Sequence, residues 1–235
     1  MQPTDKAARI AGAAYLLLFT APLRLVYIPG TLFVRGDATA TAANIAAHEW
    51  LFRLGIVSDL FTGTMVLFVV LALYRLFKDV DRSLAVLLVI LGGLMVAPIY
   101  FLNTINDAAA LQLVRGAYFL SVFDQAQREA LALFFLRLHH HGVLVNQIFW
   151  GLWLFPFGAL VVRSRFLPAF LGYWLIAGGC GYVAISVTGL LWPQFEQTAF
   201  NIAFPAIVSE AAIVLWLLIK GAKVPPSAAA PATAR

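Results

Sequence analysis

Residues 83–105 run for 23 positions without one charged side chain. At about 1.5 Å of rise per residue, a helix of that length crosses the roughly 30 Å hydrocarbon core of a bilayer. Inside lipid every backbone N–H and C=O must be satisfied by the protein itself, so only helices and closed barrels can span. The barrel is excluded by pattern: the apolar runs are long and continuous, without the short alternating segments of barrel strands. Composition extends the conclusion to the whole chain. Its 235 residues are 62% hydrophobic and 11% charged, whereas soluble domains carry about 25% charged residues. So little charge cannot coat a water-soluble globule of this size. A disulfide scaffold is excluded as well, because Cys180 is the one cysteine.

Six spans are predicted, over residues 10–28, 50–77, 83–105, 142–162, 167–192 and 199–219. The first is too long, and Tyr27 and Pro29 at its far flank too bulky, for a cleaved leader. Lys78, Asp79 and Arg82 mark the turn before the third span, which Ser83 is expected to cap. Arg163 and Arg165 stop the fourth, and Lys220 with Gly221 closes the sixth. Residues 118–138 mix Asp124, Gln125, Arg128 and Glu129 with Phe119, Phe123, Leu131 and Phe134, the pattern of an amphipathic helix in the interface leading into a span. The expected fold is therefore all-α: a polytopic helical membrane protein of six transmembrane helices plus one interfacial amphipathic helix. It forms a single domain over 1–222. The Ala- and Pro-rich residues 223–235 are expected to be disordered.

Lys and Arg accumulate on the cytoplasmic side of membrane proteins. With six spans, the side holding both termini carries ten basic residues, among them Lys6, Arg9, Arg75, Lys78, Arg163 and Lys220. The other side carries five: Arg35, Arg53, Arg115, Arg128 and Arg137. Both termini are thus expected in the cytoplasm. The basic isoelectric point reflects this topology. A nucleic-acid footprint would be a concentrated basic face, and none is present, so no nucleic-acid partner is expected.

Charges within a bilayer are rare, costly and by default functional candidates. Counting rise per residue places Arg24, Asp59, Asn103, Asp107 and Asn146 in the outer half of their spans and Glu210 near mid-span. His139, His140 and His141 stand at the outer mouth of the fourth span, and His140 and His141 are taken as the candidates. Convergence of these groups implies an outward-facing polar pocket built from Arg24, Asp59, Asn103, Asp107, His140, His141, Asn146 and Glu210. Each has a plainer reading. Arg24 can snorkel to the interface or pair with Asp59 or Glu210, Asp107 can sit in interfacial water, and Glu210 can pair with a buried donor. Consecutive helical residues point about 100° apart, so three histidines in a row cannot face one ion. A metal could take one or two of them with Asp59, Asp107 or Glu210 from other helices, His140, His141, Asp59 and Glu210 being the candidates, and no metal or cofactor is expected. Cys180 lies among Gly178, Gly179 and Gly181, which reads as close helix packing.

Short motifs along the chain carry a resemblance. They are Ala8-Arg9-Ile10-Ala11-Gly12, Leu71-Ala72-Leu73-Tyr74-Arg75-Leu76-Phe77, His140-His141-Gly142, Gly151-Leu152-Trp153 and Arg163-Ser164-Arg165-Phe166-Leu167-Pro168. Glu210 followed by Leu215-Trp216-Leu217-Leu218-Ile219-Lys220-Gly221 completes the set. In order and spacing these resemble the bacterial integral-membrane family called domain of unknown function 4386. The resemblance implies a six-span membrane protein and supplies no catalytic residues. The function expected from the polar convergence is binding of a membrane lipid or small amphiphilic molecule. A small proton-coupled transporter using Glu210 and Asp59 is the second reading, and an intramembrane metal-dependent hydrolase the third.

Overall fold

The computed structural model describes residues 3–222; the tail predicted over 223–235 lies outside the described residues. Six helices are long and apolar enough to cross a membrane. With one short helix between the first two, they are α1 (Thr4–Leu32), α2 (Ala38–Ala47), α3 (Glu49–Phe77), α4 (Arg82–Arg115), α5 (Gln125–Ser164), α6 (Ala169–Leu191) and α7 (Pro193–Ile219). Among the described residues there is no strand. The chain is an all-α polytopic membrane protein.

Sequence neighbours pack antiparallel, as short connections require. Thr20 of α1 meets Thr62 of α3, and Gly63 of α3 meets Tyr100 of α4. Asn103 of α4 meets Gly142 of α5, and Gly178 of α6 meets Ala206 of α7. The ring closes where Gly12 of α1 meets Leu217 and Leu218 of α7. The ends of α1 and α7 near residues 4 and 219 define one face, termed terminal below; the opposite face is termed distal. The main apolar core, with Tyr15, Leu73, Phe77, Leu88, Trp153, Phe157, Leu160 and Leu217, fills the terminal half. A second cluster, with Ile28, Leu32, Ile45, Phe52, Ala110 and Leu136, lies toward the distal face.

Helix ends differ in detail from the sequence reading. Asp81, rather than Ser83, caps α4, its carboxylate accepting from the Leu84 N–H. Its first-turn placement suits a negative charge at a helix N-terminus. α4 runs on to Arg115, ten residues past the predicted end, because the Ala-rich stretch beyond Asp107 favours helix and Gly116 at φ 66° supplies the left-handed stop. The predicted interfacial helix over 118–138 is divided. Tyr118–Leu120 is a single 3₁₀ turn, and Asp124 with Gln127 forms a capping box that starts α5. From Gln125 that amphipathic stretch runs without a break into the fourth span, making one helix of 40 residues.

Three helices lose regularity: α1, α7, and α4, which widens to π over Ile90–Leu94. Pro22 has no N–H to give Leu18 and crowds its carbonyl. α1 accordingly tightens to 3₁₀ over Leu17–Thr20 and widens to π over Leu23–Tyr27. In α7, Pro205 precedes a break at Val208, between Glu196–Ile207 and Ser209–Ile219.

Candidate functional site

The polar residues gather at two places. The first is a buried cluster contributed by α1, α3, α4 and α5. The widened turn of α1 directs Arg24 inward, where it is 2% exposed. Its Nε and Nη2 donate to the two carboxylate oxygens of Asp107, both at 2.6 Å. This is the bidentate geometry that makes an Arg–carboxylate pair strong and directional. Phe33 lies under the guanidinium, 5.5 Å from ring centroid to Cζ.

His139 stands between two carboxylates. Its Nδ1 is 3.2 Å from Asp107 Oδ1 and 3.3 Å from the Asn103 carbonyl oxygen. Both are acceptors, which assigns the Nδ1 proton. Nε2 then faces Asp59 Oδ2 across 3.6 Å, acceptor toward acceptor unless one proton is held between them. Among the described residues neither Asp59 oxygen, nor His139 Nε2, has a hydrogen-bond partner, although Asp59 is 1% exposed. Toward the distal face the next buried positions on α1, α4 and α5 are apolar, Ile28, Ala110 and Leu136, while α3 presents Ser58 and Gly55 before Phe52. Below the cluster lie Thr62, Thr104 and Tyr100.

Asp59, Asp107 and His139 offer metal-ligand atoms within 4.8 Å of one another. Both oxygens of Asp107 are already engaged by Arg24. That leaves Asp59 and His139 Nε2 as the free donors, and Asp107 could join them only while it also holds Arg24. As it stands the cluster is a network of ion pairs and facing polar groups. The metal set drawn from His140, His141, Asp59 and Glu210 is not assembled. His140 is exposed and pairs with Glu196 at 3.2 Å, and His141 bonds the Arg137 carbonyl at 2.8 Å.

The second place is a cavity of about 440 Å³ between α1, α3, α4, α5, α6 and α7. Tyr15, Tyr100, Trp150, Trp153 and Tyr182 supply ring faces, and Leu18, Val66 and Val96 supply aliphatic wall. Gly92 makes room, since a Cβ there would strike the Trp153 ring. Glu210 is the one carboxylate on the lining. The Tyr15 hydroxyl donates to its Oε2, and the Tyr182 hydroxyl lies beside it. Phe19, Phe204 and Val208 line the cavity and are also exposed on the outside of the bundle. They lie on α1 and α7 at the irregular turns around Pro22 and Pro205, so the cavity opens sideways there.

The single pocket expected from the sequence is thus two sites. Arg24, Asp59 and Asp107 meet, with the Asn103 backbone beside them. Glu210 belongs to the cavity. Asn146 is buried, and among the described residues its Oδ1 has no hydrogen-bond partner. The reason is rotational: depth follows from rise per residue, but the direction a side chain faces depends on how each helix is turned. His139 replaces its two neighbours. The signal for it is helical spacing, because it lies three residues after Leu136 and seven before Asn146, on the buried face of α5. The glycines of α6 pack as expected, but Cys180 among them is exposed on the outside of the bundle.

Comparison with known proteins adds lineage without chemistry. An uncharacterised protein of Archaeoglobus fulgidus is 33% identical over 79 residues, covering 34% of this chain and 46% of the relative. The chain therefore spans about half the length of that curated relative. No solved structure matches. A family model described as domain of unknown function (DUF4386) matches residues 10–221. With nearly the whole chain inside that match, the protein belongs to the DUF4386 family of six-helix membrane proteins.

Proposed function

We propose that the protein binds a lipid or small amphiphile that enters its mid-bundle cavity sideways from the bilayer. The observation that carries this reading is the cavity itself: about 440 Å³, walled by aromatic and aliphatic side chains, with one carboxylate and an opening between α1 and α7. Ligand pockets have this build, about 300–1,000 Å³ of mostly apolar wall with a few placed polar groups. A wall of rings holds an apolar body, and Glu210 with Tyr15 orients a polar end.

The test is to purify the protein from membranes and identify what it retains by native mass spectrometry. Ala211 lines the cavity, so Ala211→Trp should fill it and strip the retained species. Thr64→Trp, at an exposed position, should leave it bound. Retention of the same species by both variants would overturn the reading.

A proton-coupled carrier is the second reading. It is favoured by the unpartnered Asp59 and His139 Nε2, one turn from Thr62 on the cavity wall. Gradient-dependent flux in proteoliposomes, lost in Asp59→Asn, would support it. A metal-dependent hydrolase would have to use Asp59, Asp107 and His139, since His140, His141 and Glu210 lie apart from them.

A further inference from the structure

We propose that the cavity is selective for charge, and that its ligand is an amphiphile with a cationic polar end, an amine or a quaternary ammonium. The inference rests on the reading of the cavity as a ligand site and adds the chemical class of the ligand.

Three observations carry it. The first is the sign of the lining. Among the described residues Glu210 is the one side chain of formal charge on the wall, and neither Lys, Arg nor His lines it. A phosphate or carboxylate head would meet Glu210 at close range in a low-dielectric site, where like charges repel most strongly. It would find no cation to pair with.

The second is the state of Glu210. Tyr15 donates its hydroxyl hydrogen to it, the Tyr182 hydroxyl lies beside it, and neither carries positive charge. Among the described residues no basic group lies within ion-pair distance of it. Arg24, the buried cation of the neighbouring cluster, is held bidentate by Asp107. A carboxylate at mid-span is costly unless a partner answers it, and the open side of this one faces the cavity. A ligand cation is the missing counter-charge.

The third is the wall. Tyr15 and Trp153 stand 5.5 Å apart by ring centroid, Tyr100 and Trp150 6.0 Å, and Trp150 and Tyr182 5.8 Å. These five rings border the same space as Glu210. Aromatic faces attract a desolvated cation, most strongly Trp, and a cage of them is how quaternary ammonium groups are held. An anion gains nothing from the same faces.

The experiment uses the full chain in phosphatidylcholine nanodiscs and three probes of similar bulk: tetraphenylphosphonium (cation), tetraphenylborate (anion) and triphenylphosphine oxide (neutral). Binding is read by equilibrium dialysis against empty discs and by the fluorescence of Trp150 and Trp153. The expected result is saturable binding of the phosphonium, with the other two at least tenfold weaker. Glu210→Gln should weaken phosphonium binding tenfold or more, and Glu210→Asp should restore part of it. Glu196→Gln, a carboxylate outside the cavity, should leave it unchanged. Should Glu210→Gln fail to fold, Trp150→Leu should lower phosphonium affinity several-fold. Equal binding of all three probes, or indifference to Glu210→Gln, would sink the charge selectivity while leaving the amphiphile reading in place. Absence of saturable binding by any probe, together with unchanged retained lipid in Ala211→Trp, would remove both.

Discussion

Arg24 and Asp107 form the most demanding contact in the molecule. Both are almost fully buried, and two 2.6 Å hydrogen bonds join them. Removing one partner leaves the other as an unanswered buried charge, a loss of about 3–5 kcal/mol in measured cases. Arg24→Met or Asp107→Leu should therefore lower the thermal midpoint in detergent by many degrees. The double variant, which removes both charges, should recover much of the loss. If the double variant loses the sum of the two single losses, the pair contributes no coupling. The sequence carried part of this site. Arg24, Asp59 and Asp107 stand out as charges in apolar runs, and their shared depth follows from helical rise. Their partners do not, because Arg24 could as well have met Asp59 or Glu210 until the π turn at Leu23–Tyr27 set its direction. His139 was hidden by its neighbours: three identical side chains differ only in which way the helix turns them.

Among the helices, the α5–α6 seam shows what glycine does here. A Cβ on Gly158 would lie 2.5 Å from the Gly172 carbonyl oxygen, and one on Gly151 would lie 2.5 Å from that of Gly179. Both obstacles are backbone, which cannot swing away, so small residues let the helices approach closely. Gly158→Ala and Gly151→Ala should each cost about 1–3 kcal/mol, the usual range for overpacking. Gly30→Ala meets nothing within 4 Å and should be neutral or slightly stabilising, a contrast that a thermal-shift series reads directly. Span existence was legible because hydropathy over about twenty residues is a strong signal. The fine structure was not. The merging of an amphipathic stretch into α5 depends on a cap at Asp124, and the irregular turns of α1 and α7 depend on how neighbours satisfy the groups that Pro22 and Pro205 release.

At the scale of the molecule, the split of basic residues predicts that both termini face the cytoplasm. In a Cys180→Ser background, Asp79→Cys lies in the α3–α4 turn and Gly36→Cys in the α1–α2 connection, at opposite faces of the bundle. A membrane-impermeant maleimide added to intact cells should label the Gly36→Cys protein and spare the Asp79→Cys protein until the cells are opened. The reverse pattern would invert the orientation. The native Cys180, exposed on the side of the bundle, should resist the same reagent in membranes because lipid covers it.

The length of α4 and α5 has a mechanical consequence. Forty residues of helix measure about 60 Å, twice the hydrocarbon thickness, and α5 is unbroken from Gln125 to Ser164. α4 and α5 therefore project together on the distal side, joined at a tip where Tyr118 is 91% and Val122 80% exposed. Asp107 and His139 ride on this pair of rods, whereas Arg24 and Asp59 are anchored on α1 and α3. The Arg24–Asp107 pair and the facing His139 and Asp59 therefore tie this long hairpin to the two helices beside it, so its rotation about its own axis is fixed by polar contacts as well as by apolar packing.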